Sequence, residues 1–347
     1  MDKITYKREN YWKYILLFIL TFLTCMMAGT QWANKDYLEV NNWEVGVTYA
    51  ILILTFLSFH EFGHYFAARY HKVRTTLPYY IPFPVPIVLN FGTFGAIIRI
   101  KEPIPSRKAL FDIGIAGPLA GYIVSVIFLI IGILNLPTYN DIIAIHPEYL
   151  TQFGGGIPDV GLHFGDTLLY HLLIKILVPT GHFIPPMNEI YHFPFLNVGW
   201  FGLFVTTMNL LPIGQLDGGH ILYSMFGRKV HSRVARITMW IMVIIGSIGS
   251  LNEVYMFFKD SNFNSSLMLS IQSAIVPKLA MLYNNFPLLQ EFWSGWLLWG
   301  LIGKFFIKLD HPAAMDETQI SKNRMLLGWF AFFMLISSFS FNALFFK

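Results

Sequence analysis

Two histidines and a glutamate lie within five residues of one apolar segment, as His60-Glu61-x-x-His64. Residues four apart lie on one face of an α-helix, about 6 Å apart along its axis. Two imidazoles at that spacing can share one zinc ion, at about 2.0–2.1 Å each. Glu61 is adjacent and need not be a ligand, so it can act as a general base toward water at the metal. The spacing therefore predicts half of a hydrolytic zinc site.

A second half-site is needed, because a catalytic zinc bound by two histidines takes a third protein ligand and keeps one position open. Asp217 follows Pro212 and Gly214, which should interrupt a helix in the middle of an apolar region. Non-helical backbone at membrane depth is tolerated only where it is buried in protein or lines a water-filled cavity. We predict Asp217 as the third ligand, with His220 as the alternative.

The other histidines fit this site less well. His71 lies eleven residues after His60, so on a continuous helix it would be about 10 Å beyond His64 along the axis. We therefore expect His71 at the membrane surface and outside the metal site. Five more histidines lie in the segment 137–195: His146, His163, His171, His182 and His192. Their spacings match no compact metal-binding motif, so the sequence predicts one zinc ion and no second metal site.

The composition indicates the environment of this chemistry. Of 347 residues, 55% are apolar and 13% are charged, whereas a soluble domain carries about 25% charged residues. This excludes a disordered chain, a coiled coil and an ordinary water-soluble enzyme. The net charge of +4 is small and scattered among apolar runs, so we expect no nucleic-acid partner. A single cysteine, Cys25, excludes an internal disulfide.

Seven apolar stretches are long enough to cross a bilayer, which takes about 20 residues. They lie near 12–29, 45–70, 109–136, 196–222, 235–258, 289–309 and 325–346, and a weaker stretch at 266–283 is predicted to be interfacial or partial. If the N-terminus is cytoplasmic and the seven spans alternate, nineteen of the 24 lysines and arginines lie inside. The positive-inside rule therefore favours a cytoplasmic N-terminus.

The region between Thr75 and Ser106 differs from these spans. Prolines at 78, 82, 84 and 86 forbid a regular helix, and the glycines and β-branched residues of 90–100 favour a bent strand or a hairpin. We predict a re-entrant β element on the cytoplasmic side. Its free edge could hold a substrate backbone extended, with Gly92, Phe94 and Gly95 as candidate contacts. The predicted fold is an all-α polytopic membrane protein with about seven transmembrane helices and this small β element.

Taken together, these motifs resemble the site-2 protease family of intramembrane zinc metalloproteases. The resemblance is carried by His60-Glu-x-x-His64 and by Leu216-Asp217-Gly218, in that order and both in apolar helices. The segments 91–95 (FGTFG) and 114–121 (GIAGPLAG) and the position of Asn209 also resemble family signatures. The match covers about residues 45–225.

The resemblance implies roles for individual residues. His60, His64 and Asp217 would bind zinc, and Glu61 would be the catalytic acid and base. Asn209 would hold the substrate backbone or the developing oxyanion, although a hydrogen bond between helices is its plainer explanation. Gly117 and Gly121 have the small-xxx-small spacing that permits close helix contact, and we interpret them as packing residues.

The predicted activity is hydrolysis of a peptide bond in a membrane-spanning protein near the cytoplasmic side. The partners implied are the lipid bilayer and a transmembrane substrate already cut by another protease. The expected location is the cell (inner) membrane of a bacterium. We divide the chain into 1–44 (first helix and short external loop), 45–225 (catalytic membrane core, including the external loop 137–195) and 226–347 (further helices of unassigned role).

Two other functions fit parts of the pattern. A non-catalytic family member would bind membrane proteins without cleaving them, but it would have no need of Glu61. A zinc or proton transporter would use histidine and aspartate as a relay. The sequence contains neither an inverted repeat nor paired broken helices, which are the features that indicate transport.

Overall fold

The computed structural model describes residues 11–84 and 90–347, and this part of the chain is mainly helical. Its α-helices are α1 (Tyr11–Trp32), α2 (Val47–Tyr70), α3 (Arg107–Leu134), α4 (Tyr139–Ile145), α5 (Glu148–Gln152), α6 (Leu168–Leu177), α7 (Pro194–Leu210), α8 (Asp217–Asp260), α9 (Ser266–Asn285), α10 (Gly295–Ile302) and α11 (Lys322–Ser338). Its strands are β1 (Tyr79–Pro82), β2 (Thr93–Ile97), β3 (Leu162–Phe164) and β4 (Leu344–Phe346).

Five helices in the described residues are long and apolar enough to cross a membrane. They are α1, α2 with the 3₁₀ turn before it, α3, α8 and α9. The predicted weak stretch at 266–283 is thus a continuous helix of 20 residues, α9. The long apolar stretches near residues 12–29, 45–70 and 109–136 coincide with α1, α2 and α3.

The predicted stretch 196–222 is not one helix. Helix α7 ends at Leu210, α8 begins at Asp217, and the residues between them form turns around Pro212 and Gly214. Gly214 has a φ of +53°, a value that L side chains rarely adopt, so the chain changes direction there. The break that the sequence predicted lies directly before Asp217.

Two predicted spans differ from the observed elements. In 289–309 a 3₁₀ turn is followed by α10, with eight residues, and by a π-helical turn at Gly303–Ile307. In 325–346 the helix α11 ends at Ser338, and the last residues form β4, which pairs with β3. Apolar composition alone does not distinguish a spanning helix from short elements that bury the same side chains against their neighbours.

Helix α3 lies at the centre of the bundle, where it packs against α2, α7 and α8. It begins after Ser106, whose hydroxyl accepts a hydrogen bond from the Ala109 amide at 3.2 Å and caps the helix. Phe111 and Leu129, near its two ends, are fully buried. Two of the neighbours of α3, α2 and α8, carry the predicted metal ligands, so α3 is the scaffold on which they meet.

The predicted β element is an antiparallel hairpin of β1 and β2, with Tyr79 opposite Ile97 and Tyr80 opposite Ala96. The hairpin packs against α1, because Thr24 Oγ1 donates to the Gly92 carbonyl at 2.6 Å. Residues 85–89, which include the predicted helix-breaking proline at position 86, lie outside the described residues.

Candidate metal centre

Three side chains from two distant helices converge on one point. His60 and His64 of α2 and Asp217 at the start of α8 each bring one ligand atom to within 4.8 Å of the others. The two Nε2 atoms are 3.2 Å apart, and Asp217 Oδ2 lies 3.3 Å from His64 Nε2 and 3.7 Å from His60 Nε2. A tetrahedral ion with bonds of 2.0–2.1 Å has ligand atoms about 3.3–3.4 Å apart. The donor set and its spacing fit a zinc ion.

The orientation of His64 also suits a metal ligand. Its Nδ1 lies 2.7 Å from the carbonyl oxygen of Ile113 in α3. A carbonyl only accepts hydrogen bonds, so Nδ1 carries the proton and the lone pair is on Nε2, the atom that faces His60 and Asp217.

The glycines of α3 make room for both imidazoles. A Cβ at Gly117 would lie 2.0 Å from His64 Nε2, and one at Gly121 would lie 3.2 Å from His60 Nδ1. Successive turns of α3 therefore face successive turns of α2, and any side chain at Gly117 would occupy the place of the His64 ring. The sequence indicated close helix packing here, but not that the packing partners are the histidines.

Asp217 reaches the centre because α8 begins directly after the non-helical turns that follow α7. It lies in the first turn of the helix, where the free amide groups favour a negative charge. A Cβ at Gly218 would lie 1.9 Å from the Leu210 carbonyl oxygen, so only glycine lets α8 start this close to the end of α7. The alternative ligand, His220, instead directs Nδ1 to Nε2 of His311 at 2.7 Å.

Glu61 is 7% exposed and does not belong to the group of three ligand atoms. Its Oε2 accepts a hydrogen bond from the backbone amide of Ile98, at 2.9 Å. This contact fixes the carboxylate against the segment that follows β2. The sequence contained no signal for Ile98, because a backbone amide can be supplied by any residue other than proline.

A cavity of about 650 Å³ opens beside these residues. Phe94, Gly95, Asn209 and the three candidate ligands are among the residues that line it. The Asn209 side-chain nitrogen lies 3.4 Å from His60 Nε2. Gly92 packs against α1, where its carbonyl accepts the hydrogen bond of Thr24, and we therefore leave it out of the proposed substrate contacts.

His71 lies apart from the metal centre, and its Nε2 is 2.8 Å from Asp112 Oδ2. Asp112 also accepts two hydrogen bonds from Arg324 of α11, at 2.7 and 2.8 Å. His71 thus belongs to a polar contact between α2, α3 and α11.

Comparison with known proteins gives a consistent result. The family model described as peptidase family M50 matches residues 48–249, more than half of the chain. The probable zinc metalloprotease EGY1, chloroplastic, of Arabidopsis thaliana is 35% identical over 180 residues, which cover 51% of this chain and 29% of that protein. The protein of the same name from Oryza sativa subsp. japonica is 32% identical over 246 residues, which cover 62% of this chain and 38% of that protein.

A third relative, the probable zinc metalloprotease EGY2, chloroplastic, of Oryza sativa subsp. indica, is 28% identical over 230 residues, or 65% of this chain. The chain spans 38% of the length of that relative. No solved structure matched the chain. Because the family model covers most of α2 to α8, the elements that carry His60, Glu61, His64 and Asp217, this chain belongs to peptidase family M50, the site-2 protease family of zinc metalloproteases.

Proposed function

We propose that this protein is an intramembrane zinc endopeptidase that hydrolyses a peptide bond of a membrane-spanning protein. The observation that carries the proposal is the convergence of His60, His64 and Asp217 beside Glu61, in a cavity that β2 also lines. We propose one zinc ion at this centre, held by these three residues. Bound zinc supplies Lewis acidity that polarises a carbonyl and activates water.

The chain's own residues would perform the proton transfers. The Glu61 carboxylate accepts a proton from the attacking water and then donates it to the departing amine. Its hydrogen bond to the Ile98 amide holds the carboxylate in place for both steps. The Asn209 side chain, which lines the same cavity, can donate its amide hydrogens to the carbonyl oxygen of the substrate.

The strand β2 is proposed to hold the substrate. A helical span has its peptide bonds in hydrogen-bonded turns, so it must unwind before cleavage. Phe94 is 69% exposed on β2, and it lines the cavity together with Gly95. A substrate segment paired with the free edge of β2 would lie extended next to the metal centre.

We further propose a multi-pass protein with about seven spans, a cytoplasmic N-terminus and a re-entrant hairpin, located in the cell membrane of a bacterium. Its substrate would be a transmembrane protein already cut by another protease. The distribution of lysine and arginine supports this orientation. Reporter fusions at Gly155 and Lys229 test it: Gly155 should report the external side and Lys229 the cytoplasmic side, and the reverse pattern would refute the orientation.

The test of the proposed function is Glu61→Gln in the purified full chain in detergent. We expect the zinc content to stay unchanged and cleavage of single-span peptides to fall at least about 100-fold, because the general base is lost while the ligands remain. Zinc content measures metal binding, and mass spectrometry of the products measures cleavage. Equal cleavage by both proteins would refute the role of Glu61.

A further inference from the structure

A second group of potential metal ligands lies at the opposite end of the bundle. His146, Glu189 and His192 bring their ligand atoms to within 4.8 Å of one another. The two Nε2 atoms are 3.0 Å apart, and Glu189 Oε2 lies 3.7 Å from that of His146 and 3.6 Å from that of His192. These separations resemble those of the first centre and are close to the edges of about 3.3–3.4 Å expected for a tetrahedral zinc ion.

Both imidazoles direct a lone pair to the centre of the group. His146 Nδ1 lies 2.8 Å from Glu148 Oε1, and His192 Nδ1 lies 2.5 Å from the Trp32 carbonyl oxygen. These oxygens are acceptors, so both Nδ1 atoms carry protons and both Nε2 atoms of the neutral rings carry lone pairs. Two lone pairs at 3.0 Å repel each other unless a proton or a metal ion lies between them. Histidine ligands of metal sites show this same outer hydrogen bonding.

Glu189 provides an independent observation. The residue is only 1% exposed, and its Oε1 accepts a hydrogen bond from Tyr149 at 3.0 Å. Its Oε2 is buried, has no hydrogen-bond partner among the described residues, and faces the two Nε2 atoms. A buried carboxylate oxygen without a donor is costly, and a metal ion would satisfy it.

We propose that His146, Glu189 and His192 form a second metal site, which binds a divalent transition-metal ion of the zinc class. Two imidazoles and one carboxylate are a donor set that zinc accepts. The site would be separate from the proteolytic centre, since α3 extends for about 30 Å between Ile113, beside the first centre, and its end at Leu134.

The bound ion would act as a structural clamp. His146 directly follows α4. Glu189 directly precedes the 3₁₀ turn Ile190–His192, which lies before α7, and His192 is the last residue of that turn. The Trp32 carbonyl, which holds His192, is at the end of α1. One ion would therefore hold the residue after α4 against the turn that precedes α7, next to the end of α1. The proposal does not depend on protease activity.

The experiment counts zinc in the full chain, purified in detergent, loaded with Zn²⁺ and passed through gel filtration. We expect two zinc ions per chain in the wild type and one in His146→Ala. His60→Ala should also hold one, and the double variant should hold none. The matched control is His163→Ala, a histidine of the same segment that pairs with Asp159 instead, and it should hold two. One ion in the wild type, or an unchanged count in His146→Ala, would overturn the proposal.

A conservative variant separates metal binding from folding. Glu189→Gln keeps the size of the side chain and an acceptor for Tyr149 but removes the carboxylate. In the His60→Ala background, we expect it to weaken Co²⁺ binding at least tenfold, as followed by the visible absorption of bound cobalt. In His60→Ala, removal of the bound metal ion by a chelator should also speed proteolysis between residues 137 and 193. Equal cobalt affinity with and without Glu189→Gln would refute the site.

Discussion

His60 and His64 show how much one side chain depends on partners that are remote in the sequence. Their spacing places both on one face of α2, but the carbonyl that orients His64 and the glycines that leave space for the rings belong to α3. Gly117 was predicted to pack helices, and it does so against His64. The residue that packs against Gly117 depends on the tertiary structure, so sequence spacing alone does not reveal that Gly117 makes room for His64.

The choice between Asp217 and His220 as third ligand leads to a prediction. Asp217→Asn should lower the zinc content by one ion per chain, because the carboxylate charge that binds the ion is removed. His220→Ala should leave the zinc content unchanged, because the His220 ring is directed to His311. Elemental analysis after gel filtration measures both. Loss of zinc in His220→Ala together with retention in Asp217→Asn would reverse the assignment.

The proposed binding of a substrate depends on which backbone amides of the hairpin point to the free edge of β2. The Ile98 amide points to Glu61, whereas the Arg99 amide donates to Thr76 Oγ1 on the side of β1. Amides alternate in direction along a strand, so the Ala96 amide points to the same edge as that of Ile98. Ala96 lines the cavity, and on the proposed function we expect its amide to bind a substrate carbonyl.

Proline at Ala96 removes that amide without removing the amides that face β1. We expect Ala96→Pro to lower kcat/KM for a transmembrane substrate about tenfold, the effect of losing about 1–1.5 kcal/mol of backbone hydrogen bonding. Zinc content should not change. Ala96→Ser, which keeps the amide at similar size, is the control and should cleave normally. Unreduced cleavage by Ala96→Pro, at equal protein levels, would contradict binding along this strand.

In the described part of the chain, the C-terminal region packs against the helices that carry the candidate metal centre. Arg107, at the start of α3, is 7% exposed and donates to the Ser224 carbonyl at 2.8 Å and to the Glu317 carbonyl at 3.1 Å. His311 contacts His220, three residues after Asp217. The segment after α10 therefore packs on the part of α8 that carries the aspartate, a structural role that the sequence left unassigned.

Substitution of Arg107 tests whether these contacts stabilise the protein. Arg107→Ala leaves carbonyls of α8 and of the C-terminal segment without donors, so we expect a loss of about 2–3 kcal/mol in stability and a lower apparent Tm in detergent. Arg107→Lys should not restore it, because an ammonium group does not reproduce the guanidinium fork. The control is Lys108→Ala at the exposed neighbouring position. If the Tm of Arg107→Ala equalled that of the control, the contact would not be stabilising.

The sequence by itself determined the local features of the candidate metal centre. Helical periodicity placed His60 and His64 together, proline and glycine predicted the break before Asp217, and four prolines with a glycine-rich run predicted the hairpin. Each of these signals acts over a few residues, through backbone geometry. They name the residues of the centre but do not bring α2 and α8 together.

Only the tertiary structure determined which residues that are distant in sequence contact one another. Apolar composition could not show that 289–309 and 325–346 contain shorter helices. Apolar side chains are favoured both in a protein interior and in contact with lipid, so composition does not distinguish the two. Nor could spacing join His146 to Glu189 and His192, because the residues after α4 meet the residues before α7 only in the folded chain. Such contacts depend on how helices pack, which is determined by side chains far apart in the sequence.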